Sequence, residues 1–94
     1  MSITRINEFQ AKAGQIDGLH EFLISIMPII QSSNGCESCQ LLQNQDDPTR
    51  FIVLEVWVSA EAHKTSLKNV SPEKFVKIKP LLAGSPSGAY YSTA

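Results

Sequence analysis

The chain has 94 residues, 43% hydrophobic and 18% charged, with a formal net charge of −1. That balance excludes a disordered chain, and the scattered lysines and arginines leave no basic patch for nucleic acid. One domain spanning residues 1–94 is expected, of a size that buries only about 60–65% of the surface its unfolded chain exposes. A partner chain over one face would widen that thin margin. The longest apolar stretch, FLISIMPII, is far short of the roughly 20 residues that span a bilayer. The N-terminus also lacks the charged-then-apolar pattern of a signal peptide. A soluble cytoplasmic protein with no membrane partner is therefore expected, its two cysteines reduced.

The first segment, ITRINEFQA, alternates as a strand does, with Ile3, Arg5, Asn7 and Phe9 on one face and Thr4, Ile6 and Glu8 on the other. From Gln15 the apolar positions Ile16, Leu19, Leu23, Ile26, Met27 and Ile30 recur at helical spacing and form one stripe. Pro28 lies inside this run, where it kinks the helix or thins its hydrogen bonding. Asn34-Gly35 marks the stop, since both residues tolerate a left-handed backbone. Two strands follow, about Cys39–Gln43 and Phe51–Val58, joined as a hairpin by the polar turn NQDDPTR. The second is apolar on both faces: Phe51, Val53 and Trp57 on one, Ile52, Leu54, Val56 and Val58 on the other. Antiparallel sheets usually leave one face wet, so helices are expected on one side and a second cover on the other. Ser59 reads as the N-cap of a helix through AEAHKTSLKN. Ser71-Pro72 restarts a helical piece carrying Phe75, Ile78, Leu81 and Leu82, and AYYST reads as the closing strand. The order is β-α-β-β-α-β, a ferredoxin-like α+β arrangement.

Cys36-x-x-Cys39 is the most conspicuous short motif. No second cysteine pair accompanies it, and His20 and His63 are not closely paired, so a zinc site is not expected. On extended chain, residues three apart point to opposite faces roughly 10 Å apart, beyond the Cα separation of about 7 Å that a disulfide tolerates. A thioredoxin-type pair would open a helix, whereas here a helix has just ended. Both are expected to be ordinary residues at the start of a strand, with no metal and no mutual disulfide.

Glu55 shares a strand face with Phe51, Val53 and Trp57, where an unpaired carboxylate would cost several kcal/mol. It is either a general base or hydrogen-bonding anchor in a pocket, or the partner of Arg5 or Arg50 in an ion pair. Trp57 is a pocket wall or part of the core. Asn7, on the face of Ile3 and Phe9, needs partners if buried, structural or substrate-borne. His63, in the first turns of the second helix, is a proton shuttle or a surface or interface residue. His20 lies off the stripe and reads as solvated. Tyr90 and Tyr91 alternate faces, so one can line a cavity while the other faces a partner or solvent. Phosphate loops, nucleophile elbows and dinucleotide fingerprints are absent from the sequence.

The order G-C-x-x-C-x-L, a polar turn, then F-x-x-x-E-x-W-x-S-x-E-A, running from Gly35 to Ala62, resembles the antibiotic biosynthesis monooxygenase (ABM) family. The likeness extends over nearly the whole chain, from NEFQAKAG to the helix before the last strand. It implies a ferredoxin-like protomer and a homodimer whose sheets pack together as a dimeric α+β barrel, with a small pocket between sheet and helices. It also implies oxidation of a small quinol, phenol or other aromatic compound by dioxygen, without flavin, haem or metal. An electron-rich, deprotonated substrate can reduce oxygen itself, so the protein supplies a dry cavity, orientation and a few polar groups. Asn7 matches the family's first-strand asparagine and Trp57 its strand-end tryptophan. Many relatives carry a histidine where this chain has Ser66; His63 and Ser66 share a helix face, so His63 is the substitute candidate. Haem degradation is disfavoured, because the second helix lacks the tryptophan and the later histidine of haem-degrading relatives. The expected catalytic residues are Asn7 and His63, with Trp57, Glu55 and Tyr90 contacting substrate. A non-catalytic ligand-binding or sensing protein of the same fold is the alternative, since fold does not fix function.

Overall fold

The computed structural model describes residues 2–94. In chain order it contains β1 (Ile3–Gln10), α1 (Ile16–Gln31), β2 (Cys36–Gln43), β3 (Arg50–Trp57), α2 (Ala60–Ser66), α3 (Pro72–Ile78) and β4 (Ser87–Tyr91). Short 3-10 turns at Leu67–Asn69 and Lys79–Leu81 break the second crossover into pieces. The strands form one sheet in the order β2-β3-β1-β4, every neighbouring pair antiparallel. This is the expected ferredoxin-like α+β protomer. Among the described residues no helix is long and apolar enough to cross a membrane.

The apolar stripe of α1 accounts for its seating. Leu19 and Leu23 are wholly buried, and Ile16, Ile26, Met27 and Ile30 pack against the same core. Pro28 removes one donor without ending the helix, which continues to Gln31; the Ser32 N–H then bonds the Pro28 carbonyl at 3.0 Å. His20, exposed as expected, lies flat against Phe51 with ring centroids 5.8 Å apart. Ser59 caps α2 through its side chain, which accepts from the Ala62 N–H at 3.1 Å, a contact worth about 1 kcal/mol. Ser71 occupies the equivalent place before α3 but makes no side-chain cap bond.

The central strand β3 alternates strictly. Phe51, Val53, Glu55 and Trp57 are at most 3% exposed and face the helices. Ile52, Leu54 and Val56 are half-buried on the other face, where Leu42, Val58 and Tyr91 are exposed. That outer face is apolar along β3.

One expectation is corrected in β2. The strand starts at Cys36, not Cys39, and its register on β3 shifts between Cys36 (opposite Trp57) and Ser38 (opposite Val56). The extra residue is a bulge, which resets the alternation. Cys36 and Cys39 therefore share the inner face instead of opposing ones, and both pack against the core. Both are free thiols, Cys36 near the Ser38 carbonyl and Cys39 3.8 Å from the Met27 sulfur. Burial, then the nearby Glu55 charge, pushes the Cys39 thiol up to about 12 and raises Cys36 as well. Neither is an activated nucleophile at neutral pH.

Gly35 turns the chain from α1 into β2 at φ +91, and its carbonyl accepts from the Val58 N–H at 2.9 Å. A Cβ there would meet the Ala62 Cβ at 2.7 Å and the Val58 Cγ2 at 3.0 Å. Gly35→Ala combines a disfavoured backbone with a collision against strand and helix. It is expected to lower unfolding stability by about 2 kcal/mol or more, read as a lower urea midpoint at unchanged slope.

Candidate functional site

A cavity of about 260 Å³ lies between the inner face of the sheet and the helices. Its roof is apolar, built from α1 (Phe22, Ile26, Ile29) and from Leu67 and Phe75. Its floor is polar, with Arg5 and Asn7 from β1 and Glu55 from β3; His63 and Ser66 of α2 also reach it. This mixture, mostly hydrocarbon with a few convergent polar groups, is that of a small-molecule site.

Glu55 organises the floor. It is 3% exposed, and its two oxygens accept from different donors: Oε1 from the Trp57 indole N–H at 2.7 Å, Oε2 from the Asn7 amide at 2.8 Å. The ion pair expected with Arg5 or Arg50 does not form. Arg50 turns to Asp47, at 3.1 Å. Arg5 faces Glu55 directly across β1 and β3, yet its Nε donates along its own strand to Asn7 Oδ1 at 3.0 Å, and its guanidinium lies 4.6 Å from the Tyr90 ring centre. Between them, Arg5 and Glu55 fix the Asn7 amide. Its oxygen takes Arg5, one N–H goes to Glu55, and one N–H remains to donate. Burial raises the Glu55 carboxyl above the usual carboxylate range, against the opposing pull of the Trp57 bond, the Arg5 charge and the Asn7 bond.

His63 is not a surface histidine; it is 5% exposed. Its Nδ1 lies 2.7 Å from the Tyr90 hydroxyl, its Nε2 lies 3.9 Å from Glu55 Oε1, and its ring meets Trp57 edge-on at 5.4 Å. Burial first, then the Arg5 and Lys64 charges, pushes its pKa below 6.5. The ring is thus neutral at pH 7, and the 3.9 Å approach is not an ion pair there. With its proton on Nδ1, donated to the Tyr90 hydroxyl, the neutral ring leaves Nε2 free on the side of Glu55.

A family model for antibiotic biosynthesis monooxygenase matches residues 2–77. The chain belongs to the antibiotic biosynthesis monooxygenase family. Its fold recurs in solved structures, the first two below described as putative antibiotic biosynthesis monooxygenases. A structure from Chloroflexus aurantiacus J-10-fl is 27% identical, with a TM-score of 0.75, covering 100% of this chain and 96% of that one. One from Deinococcus radiodurans is 20% identical, with a TM-score of 0.83 over 100% and 93% of the two chains. A variant of SnoaB, a cofactor-independent oxygenase from Streptomyces nogalater, is 15% identical with a TM-score of 0.81 over 98% and 92%. No curated protein sequence matches the chain.

Within this ABM fold the five residues singled out from the sequence lie close together but in different layers. Asn7, Glu55 and His63 line the cavity. Trp57 sits one layer back, wholly buried, and reaches the site through its bond to Glu55. Tyr90, 36% exposed, holds His63 from the solvent side. Two participants escaped the sequence reading. Arg5 was seen only as an ion-pair partner, although its place two residues before Asn7 on the same face was visible. Gly88, which pairs with Asn7 on β4, carries no signal without the strand register. Among the described residues no three His, Cys, Asp or Glu side chains group as metal ligands do.

The depressed His63 pKa has a consequence for stability. Between the folded and unfolded values the unfolded chain binds more protons, so His63 withdraws stability as pH falls through about 6.5 towards the lower folded value. A ring chemical-shift titration is expected to place the His63 midpoint below 6.5. A midpoint at or above that value would show a solvated or ion-paired ring instead.

Proposed function

We propose that the protein is a cofactor-independent monooxygenase that oxidises a small quinol or other phenolic compound with dioxygen. The observation that carries this reading is the Asn7–Glu55 pair: a buried carboxylate with raised proton affinity beside an amide whose one free N–H adjoins the polar floor of a cavity with an apolar roof. Glu55 takes the proton from the substrate hydroxyl, for which each of its oxygens retains a lone pair. The resulting electron-rich anion transfers electrons to dioxygen; one oxygen atom enters the ring and the other leaves as water. Asn7 donates to the negative charge that develops on the substrate oxygen or on the peroxide. His63, neutral and 3.9 Å from Glu55, carries the proton onward, and Tyr90 holds its ring. Trp57 holds the carboxylate.

Losing one donor aimed at developing charge typically costs about 10²–10³ in rate. Asn7→Ala is expected to lose that much oxygen consumption on a quinol turned over by the wild type, with its oligomeric state unchanged. Wild-type turnover in the variant would remove Asn7 from the site. If no quinol in a broad panel is oxidised above background, the cavity belongs to a binding or sensing protein.

The protomer also pairs with a second copy through the outer face of its sheet, giving the dimeric α+β barrel. The support is the apolar face formed by Ile52, Leu54 and Val56 with exposed Leu42, Val58 and Tyr91, which nothing in one protomer covers among the described residues. Light scattering at micromolar concentration is expected to give twice the chain mass of 10.3 kDa. A monomeric mass would overturn the dimer.

A further inference from the structure

We propose that Arg5, seated over Gly88, makes the cavity selective for ligands that carry, or acquire on binding, a negatively charged oxygen of the phenolate or enolate kind. The inference deepens the proposed function, sharing its cavity, but its test needs no turnover.

Arg5 and Glu55 are direct cross-strand neighbours, and a guanidinium beside a buried carboxylate ordinarily closes on it as a bidentate pair. Here both carboxylate oxygens are taken by Trp57 and Asn7, and the Arg5 Nε is spent on Asn7 Oδ1. Among the described residues no side-chain acceptor is recorded for the Arg5 Nη groups. The guanidinium therefore reaches the cavity wall with unspent, rigidly forked donors, stacked at 4.6 Å from the Tyr90 ring centre. Such a cation with free N–H donors suits an oxyanion of the ligand.

Gly88 makes this placement possible. It sits opposite Asn7 in the β1–β4 pairing. A Cβ at that position would collide with the Arg5 Nη2, and would lie 2.7 Å from both Arg5 Cζ and Asn7 Oδ1. Only a residue without a side chain leaves room for Arg5 to lie across the strand and hold the amide.

The charge balance agrees. The formal charges lining the cavity are the cations Arg5 and Lys74 against the one carboxylate of Glu55, with His63 neutral. When a neutral phenol enters, its O–H bond breaks with the electron pair staying on oxygen, and the proton passes to Glu55. The cation Arg5 then faces the new oxyanion in place of the carboxylate. The total charge in the cavity is unchanged, so no unpaired charge is buried.

The probe is 4-nitrophenol, which is not a quinol and whose ionised form absorbs in the visible. Its pH titration in the presence of excess protein gives the pKa of the bound phenol. An opposite charge within about 4–6 Å lowers such a value by roughly one unit or more, a tenfold or greater preference for the anion. Wild type is expected to show that fall. Arg5→Lys, which keeps the charge, is expected to retain most of it, and Arg5→Gln to lose it. Lys74→Gln should leave it in place, because Lys74 comes from α3 and not from the sheet that carries Asn7 and Glu55. Gly88→Ala should diminish it, with Trp57 emission confirming a folded chain. A bound pKa that is unchanged or raised, a fall that survives Arg5→Gln or follows Lys74, or no saturable binding would overturn the anion site. A full fall in Gly88→Ala would overturn the role of Gly88. Oxygen uptake by quinols is a separate measurement. A fall without uptake retains the anion site and removes the oxygenase reading, and uptake without a fall does the reverse.

Discussion

A carboxylate sits on the central strand of the sheet among Phe51, Val53 and Trp57, 3% exposed. Left unpaired there, it would cost several kcal/mol. The cost is offset by the Trp57 indole and the Asn7 amide, each of which presents only a donor to it. Each partner is constrained in turn. The indole must lie along its own strand, and the Asn7 amide cannot flip, because its oxygen would then face the carboxylate. Arg5 is needed to occupy that oxygen. A single buried charge thus sets the orientation of three side chains on two strands, and the cavity floor is the result.

The strand register makes this possible. Tyr90, Arg5, Glu55 and Cys39 fall in one row across β4, β1, β3 and β2, and Gly88, Asn7, Val53 and Leu41 fall in the next. A slip of one residue on any strand would carry its whole row to the outer face. The outer face has no use for those groups, being apolar along β3. The bulge after Cys36 serves the same arrangement. Without it, Cys36 and Cys39 would fall on opposite faces; with it, both fill space beside Trp57 and Glu55. The inner face is thereby closed by hydrophobic and thiol groups at its edge and left polar only near the centre.

Much of this was legible in the sequence because it depends on local periodicity. The two faces of β1 and β3, the buried stripe of α1, the Ser59 cap and the Gly35 turn follow from spacing and backbone preference alone. Where the reading failed, distant strands meet. The partners of Glu55 depend on β1 lying beside β3, which sets Asn7 48 residues away in sequence within 2.8 Å of it. The ion pair that charge alone suggests loses to two neutral donors with better geometry. The bulge in β2 leaves no mark in composition, since neither Glu37 nor Ser38 is a turn residue of the obligatory kind. The sequence leaves His63 open between a proton shuttle and a surface or interface residue, because its partner Tyr90 arrives 27 positions later on the last strand. The cavity is a property of packed side chains, so Phe22 and Ile29, outside the predicted stripe, line it unannounced.

The position of the imidazole on α2 bears on the chemistry. It stands over Trp57 and beside the carboxylate, while Ser66, one turn later, donates its hydroxyl back to the His63 carbonyl at 2.6 Å. The ring lies in the same desolvated region as Glu55, and desolvation acts on the two groups in opposite directions. It lowers the proton affinity of the imidazole and raises that of the carboxyl. Their ordinary values lie either side of mildly acidic pH, so both shifts bring them towards each other. The gap in proton affinity between them narrows, which favours the proposed relay of a proton from Glu55 to His63. Tyr90, bonded to the far nitrogen and 36% exposed, connects that pair to solvent on the side away from the apolar roof of the cavity.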